Sequence, residues 1–512
     1  MTEKFDKQKA FEMLLELRDG LKESARSPHL WLGWGFDHSY IDYFTPRLIE
    51  TLNPMLEDDE LVHSNLLKFI ESVKKDLGDK RLKLLKGEMR YTNKDGTICY
   101  LSPHVISSRM DLKLANVKAE RMLFRQAEPA ATMAWQTGAS YPAEFLEDAE
   151  RQILLNQAHD SICGCSIDQV PRDMHYRYEQ CFEICGEITR RSIFHVVSKI
   201  DYSGVAEGDV PITVFNTLAQ KRTCVVRAAV DVPLKKGYLK EFELHDERGR
   251  SIPFQRIYTE DKRLLIMAKY NMPPRIDVER HHIYFLAEDV PSMGYRTYVA
   301  RVRVKAKKTF WQRELKEHKA TLVVAPNTLE NEHLRVEITP QGTLNMLHKS
   351  TGKEFRGLHY FEDGGDLGEG WNYVPPVRDE IVSSLGASAT ISLIEDGPLC
   401  ARYRVETRVL APASASRTEN TRSAERREIA VTSEIGLRAG SRRVEIKTTV
   451  DNTCRNHRLR VIFPSDICAS DSLADGQFDV VKRPIEVPDR TGWKEPAPAE
   501  HPQQAFLDVT DG

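Results

Sequence analysis

Apolar positions change their spacing once along the chain, and that change divides it. Up to about residue 200 they recur at three and four, the period of an amphipathic helix. Residues 7–23 place Phe11, Leu14, Leu15 and Leu21 on one face. Residues 40–53 and 64–77 read as two more helices, and Pro28 closes the first segment. Between them, 30–34 (Leu-Trp-Leu-Gly-Trp) is a short apolar run that reads as a buried strand, and 83–88 reads as another. Helix alternating with buried strand suggests a piece of an α/β layer over residues 1–110.

Residues 111–203 predict a three-helix bundle. One helix carries Met110, Leu114, Val117 and Phe124, and a second carries Phe145, Ala149 and Ile153 after Pro142. The third carries Met174, Tyr178, Cys181, Cys185, Ile188 and Ser192, a continuous seam of alternating fours and threes. From residue 204 the period falls to two. Runs at 212–215, 223–232, 264–270, 297–304, 401–409 and 444–450 read as strands separated by turns, the pattern of β-sandwich domains over 204–512. Residues 411–428, rich in Ala, Ser, Thr and Arg, read as a solvated loop in a hairpin. The expected fold is therefore multidomain α+β: a partial α/β barrel remnant, a three-helix bundle, then β-sandwiches.

Composition narrows function by exclusion. In 512 residues, 73 Lys and Arg against 76 Asp and Glu give a net charge of −3, without the basic excess of a nucleic-acid binder. No apolar run reaches the length of a membrane span, and the N-terminus lacks the pattern of a signal peptide. Nine scattered cysteines suit free thiols in a reducing cytoplasm better than a disulfide framework.

Candidate chemistry concentrates at 153–168, where an apolar helix ends in His159-Asp160 before Cys163-Gly164-Cys165. A helix-end histidine can give one ring nitrogen to a metal beside a carboxylate, or satisfy helix carbonyls. Cys181 and Cys185 lie on an apolar helix face and read as small hydrophobes rather than zinc ligands. His245-Asp246, the other His-Asp pair, reads as an exposed turn.

The segment 156–168 (Asn-Gln-Ala-His-Asp-Ser-Ile-Cys-Gly-Cys-Ser-Ile-Asp) resembles the middle-domain motif of glycoside hydrolase family 38 α-mannosidases of the bacterial branch. Other segments agree in the same order: 34–38 (Trp-Gly-Phe-Asp-His), 86–90 with 107–110, 214–216, 365–376 (Gly-Asp-Leu-Gly-Glu-Gly-Trp-Asn-Tyr-Val-Pro-Pro) and 450–461. The resemblance implies a retaining, zinc-dependent hydrolase of terminal α-mannosides, a glycosidase of mannose metabolism. Such enzymes use a nucleophilic carboxylate and an acid carboxyl about 5–5.5 Å apart.

Carried over position by position, the resemblance makes His159 a zinc ligand and Asp160 a carboxylate contacting substrate. Asp37 becomes the general acid, and Asp366 and Tyr373 substrate-side residues on a β-domain loop. Read from the residues alone, Asp37 also suits a turn, Tyr373 a packed loop aromatic and Arg109 a structural ion pair. The family's His-x-Asp zinc pair occurs nowhere in the sequence, and the segment with its nucleophile is not recognised either. The expectation is a chain like the central part of a longer enzyme, cut at both ends and inactive alone, with a separate chain supplying the missing N-terminal half and the remaining zinc ligands. The alternative is a non-catalytic carbohydrate-binding or scaffold protein derived from the family.

Overall fold

The structure is a computed structural model. It describes the chain except residues 1–5, 36, 83, 85–101, 234–237, 266–271, 273, 307–319, 488, 490–499 and 511–512. Two compact units result, Met1–Glu88 and Met89–Gly512.

In the first unit the three expected helices form: α1 (Lys7–Ser24), α2 (Thr45–Leu52) and α3 (Leu66–Leu77). Asp6 and Asn65 cap α1 and α3 by accepting backbone N–H bonds, satisfying donors that a helix start leaves open. The Asn53 side chain clamps the segment after α2, donating to the Leu61 carbonyl at 3.1 Å and accepting from its N–H at 2.8 Å. The strand expected at 30–34 does not form. No strand is present among the unit's described residues, so this run has no described partner for its ladder bonds, and Trp31, Leu32 and Trp34 are exposed. The strand expected at 83–88 lies outside the described residues apart from Leu84, which belongs to no strand.

The second unit opens on the bundle. Helix α4 (Met110–Met122) continues through a π-turn at Leu123–Ala127 into α5 (Glu128–Gln136); α6 (Ala143–Asn156) and α8 (Gln169–Val197) pack against it. The predicted seam of α8 is buried from Met174 to Ser192. Cys181 and Cys185 are inside it with sulfurs 3.9 Å apart, as small apolar residues would be. The face expected on α4 is corrected: Met110, Leu114 and Phe124 are exposed, and Leu112, Ala119, Leu123, Ala127 and Ala131 face the core. Close helix approach selects alanine there, and the π-turn shifts the helical phase by one residue. On α6 the core residues are Leu146, Ala149 and Ile153, with Phe145 exposed.

Two antiparallel sandwiches follow. In the first, a sheet ordered Val210–Asn216, Gly294–Ala306, Tyr238–Asp246, Ser251–Ile252 faces one ordered Arg222–Pro233, Arg275–Val290, Phe254–Leu265. Val230, Leu244, Ile283, Phe285 and Tyr298 fill the space between. His245 and Asp246 end a strand of this sandwich and are buried, which corrects the expected exposed turn. The turn itself follows them: Asp246 Oδ1 accepts from the N–H groups of Arg248 and Arg250 at 3.0 and 2.8 Å.

In the second sandwich, the sheet Lys353–Leu358, Leu344–His348, Leu334–Ile338, Thr328–Glu330, Val323–Ala325 covers the sheet Thr390–Glu395, Cys400–Pro412, Arg426–Arg438, Glu445–Asp451. A third sheet, Val382–Ser383, Tyr360–Gly365, His457–Ile462, packs on the far end of its long hairpin through Phe361, Val409, Ala411 and Ile429. The stretch 411–428 is only partly a solvated loop. Its hairpin strands run from Cys400↔Arg438 to Pro412↔Arg426, Ala411, Ala413 and Ala415 are buried, and Ala415–Ser416 pairs with Thr421–Arg422.

Candidate functional site

The motif 156–168 is built from its structural residues outward. Asn156, fully buried at the end of α6, donates to the Met174 carbonyl at 3.0 Å and accepts from Arg177 at 3.1 Å, fastening α6 to α8. Gln157 donates to Glu120 of α4 at 3.1 Å. The backbone then turns into α7 (His159–Cys163), so His159 opens a new turn on a bolted base. Its side chain is 92% exposed and Asp160's is 64% exposed, with His159 Nε2 3.6 Å from Asp160 Oδ1. Both reactive groups face solvent rather than the core.

Two cations hold the turn after α7. Arg109 donates to the Gly164 carbonyl at 3.0 Å and to Asp168 at 2.8 Å, and is thus a structural ion pair. Lys113 donates to the Cys163 carbonyl at 3.2 Å, and burial lowers its pKa. Gly164 has φ +84°, and a Cβ there would lie 3.1–3.2 Å from Arg109 side-chain carbons, so glycine meets both the turn and the crossing arginine. Burial raises both the Cys163 and Cys165 thiols. Cys165 Sγ lies 3.5 Å from Asp160 Oδ1, and the Ser166 hydroxyl donates to the Asp160 carbonyl at 3.0 Å.

The β-domain loop 365–376 reaches this turn. The Ser108 hydroxyl donates to the Gly370 carbonyl at 2.9 Å, a Cβ on Gly370 would sit 3.7 Å from Cys165, and the Trp371 side chain acts against the rise of the Cys165 thiol pKa. Asp366 Oδ1 accepts from the N–H groups of Gly368 at 2.8 Å and Val374 at 3.1 Å, folding the loop on itself. Gly368 permits the fold, since a Cβ there would collide with the Asn372 carbonyl.

Tyr373 closes the loop. Its N–H donates to His104 Nδ1 at 3.1 Å, its ring lies 4.3 Å under the Arg458 guanidinium, and burial raises its hydroxyl pKa. Because His104 Nδ1 accepts, Nε2 carries the proton and faces Glu500 at 3.3 Å. Arg458 donates to Glu500 at 2.7 Å. Burial pulls Glu500 upward, but the hydrogen bonds from Arg458 and His104 outweigh it and hold the carboxylate below its ordinary pKa.

Thus the structure brings together the elements carrying His159, Asp160, Asp366 and Tyr373. Asp37 lies exposed in the other unit, in a turn before His38, which has φ +56°. Sequence reasoning missed Trp371, Ser108, His104, Arg458 and Glu500. The Gly-rich spacing of 364–370 signalled a tight loop, but no local pattern reveals hydrogen bonds spanning 262 or 396 positions.

A zinc ion wants about four protein ligands, or three and an open position. His159 and Asp160 offer two donor groups, and among the described residues no group of three or more His, Cys, Asp or Glu could hold a metal. The residues present do not make a zinc site by themselves.

Comparison with known proteins agrees with the architecture. The family model "Alpha mannosidase middle domain" matches residues 104–196, and "Glycosyl hydrolases family 38 C-terminal domain" matches 329–512. A curated relative from Halalkalibacterium halodurans, named "Putative mannosylglycerate hydrolase", is 28% identical over 97% of this chain and 57% of its own length. An α-mannosidase crystal structure from Enterococcus faecalis V583 superposes with a TM-score of 0.81 at 26% identity, covering 93% of this chain and 55% of that one. A family 38 glycosyl hydrolase structure from Enterococcus faecalis gives 0.77 at 24% identity, over 94% and 57%, and supports the fold alone. The chain spans just over half the length of these relatives.

Proposed function

Because the chain belongs to glycosyl hydrolase family 38, we propose that it contributes to a retaining, zinc-dependent glycosidase acting on terminal α-mannosides. The observation that carries this reading is the Ser108–Gly370 hydrogen bond together with the close approach of Gly370 to Cys165, which sets a β-domain loop beside the exposed His159-Asp160 pair. Exposed polar groups at a junction of domains, on rigidly held backbone, suit a hydroxyl-rich ligand.

In this reading Asp160 accepts sugar hydroxyls, and Asp366 and Tyr373 border the substrate from the loop. Asp37 acts as the general acid. His159 supplies one nitrogen to zinc, which orients hydroxyls when bound. The donor set here is too small to derive any step through the metal. The other ligands and the nucleophile are proposed to come from a separate chain carrying the N-terminal half of the catalytic domain. The exposed Trp31, Trp34, Tyr43 and Phe44 of the first unit support such a partner, since large aromatic side chains gain most from being covered. The domain limits 1–110, 111–203 and 204–512 belong to this proposal. So does a cytoplasmic location, supported by eight free cysteines among the described residues. Among those residues no helix is long and apolar enough to cross a membrane.

The lack of a metal-holding group among the described residues favours a second reading, a non-catalytic carbohydrate-binding or scaffold protein. Aryl α-mannoside cleavage with zinc separates the two. The enzyme reading expects no turnover by the chain alone, turnover on adding the family's N-terminal segment, and its loss in His159→Ala. Sugar binding without turnover in the reconstituted pair would favour the second.

A further inference from the structure

Trp371 presents a combination that the loop's own packing does not explain. Its backbone is fixed on both sides, by Ser108 on the Gly370 carbonyl at 2.9 Å and by His104 on the Tyr373 N–H at 3.1 Å. Its side chain acts on the Cys165 thiol, whose sulfur lies 3.5 Å from Asp160 Oδ1, and a Cβ on the preceding Gly370 would sit 3.7 Å from Cys165. Yet the residue is 45% exposed. A large apolar ring normally gains by burial, whereas here rigid surroundings hold it open next to an exposed carboxylate. An exposed aromatic face beside a hydrogen-bond acceptor matches a pyranose ring, which has an apolar C–H face and a polar hydroxyl rim.

We propose that Trp371 is a sugar-stacking platform: its ring carries the C–H face of a pyranoside whose hydroxyls bind Asp160. The inference rests on the mannoside reading only for the identity of the sugar. Cys165 is a positioning residue in this arrangement, set against the loop that carries the indole. The loop is prebuilt, so binding costs little ordering.

The test uses the full chain labelled with 5-fluorotryptophan. It contains six tryptophans, and the ¹⁹F resonance missing from Trp371→Phe identifies Trp371. Methyl α-mannopyranoside, its glucose and galactose counterparts, and glycerol are titrated in turn. The Trp371 resonance is expected to shift and saturate with the mannoside and to ignore glycerol. By calorimetry, Trp371→Ala weakens binding about tenfold, while Trp371→Phe, which keeps an aromatic face, restores most of it. A resonance that moves with glucoside or galactoside but not mannoside supports the platform and overturns the mannoside reading. A resonance unmoved by every glycoside overturns the platform, as does an alanine variant that binds like the parent. Should Trp371→Ala not fold, the resonance shift in the parent and the affinity of the phenylalanine variant still decide.

Discussion

Ser108 and Gly370, 262 positions apart, are joined by one hydrogen bond of 2.9 Å, from the serine hydroxyl to the glycine carbonyl. It links the entry of the helical bundle to a loop of the second sandwich and so helps hold Trp371 and Tyr373 beside the His159 turn. Ser108→Ala is expected to cost about 1 kcal/mol of stability, the net value of one such bond. The effect should be local: faster amide hydrogen exchange at residues 370–373, with the bundle core unchanged. Unchanged exchange in that loop would mean the contact does not hold it.

Asp363 and Arg422 form a fully buried ion pair behind the same loop, joined by His457, whose Nδ1 meets Asp363 Oδ2. Arg422 also donates to the Glu380 carbonyl at 2.8 Å, and His457 Nε2 lies 2.9 Å from Asn452 Oδ1. Removing one partner leaves a buried charge unpaired. Arg422→Met or Asp363→Leu alone should therefore cost about 3–5 kcal/mol in urea unfolding. The double variant should lose well under the sum of the two single losses, because neither member of the pair is left without its partner. Additive losses would argue against direct coupling.

His359 supplies a pH dependence. Burial lowers its pKa from the ordinary 6.5 to about 4, and its Nδ1 has no hydrogen-bond partner among the described residues. Below pH 6.5 the unfolded chain binds a proton that the folded chain refuses, so this contribution is present above 6.5 and is lost as pH falls toward 4. The shift corresponds to about 3 kcal/mol. Urea titrations from pH 7 to 4 should show the parent losing about that much more than His359→Gln. Parallel curves would place the histidine's titration elsewhere.

Much of this was legible in the sequence, for reasons that differ by element. The seam of α8 could be read directly because Met174, Tyr178 and Ile188 are large and regularly spaced. On α4 the same rule chose Met110 and Phe124 over the true core residues, because Ala119 and Ala127 carry little hydrophobic signal and the π-turn breaks the period. The expected loop at 411–428 hid a buried arginine, since a charged residue advertises exposure until its partner, Asp363, is seen 59 positions away. At the candidate site, His159 and Asp160 stood out through the motif, whereas Trp371, Arg458 and Glu500 gain meaning only from contacts between domains.

We propose that the exposed His159-Asp160 turn belongs to a mannoside site. Calorimetric titration of methyl α-mannopyranoside into the full chain and into Asp160→Ala tests it most directly. Saturable binding to the parent is expected, with at least tenfold weaker binding to the variant, in line with the loss of about 1.5–3 kcal/mol of hydrogen bonding to a charged group. No saturable binding by the parent, or equal affinity in the two proteins, would contradict it.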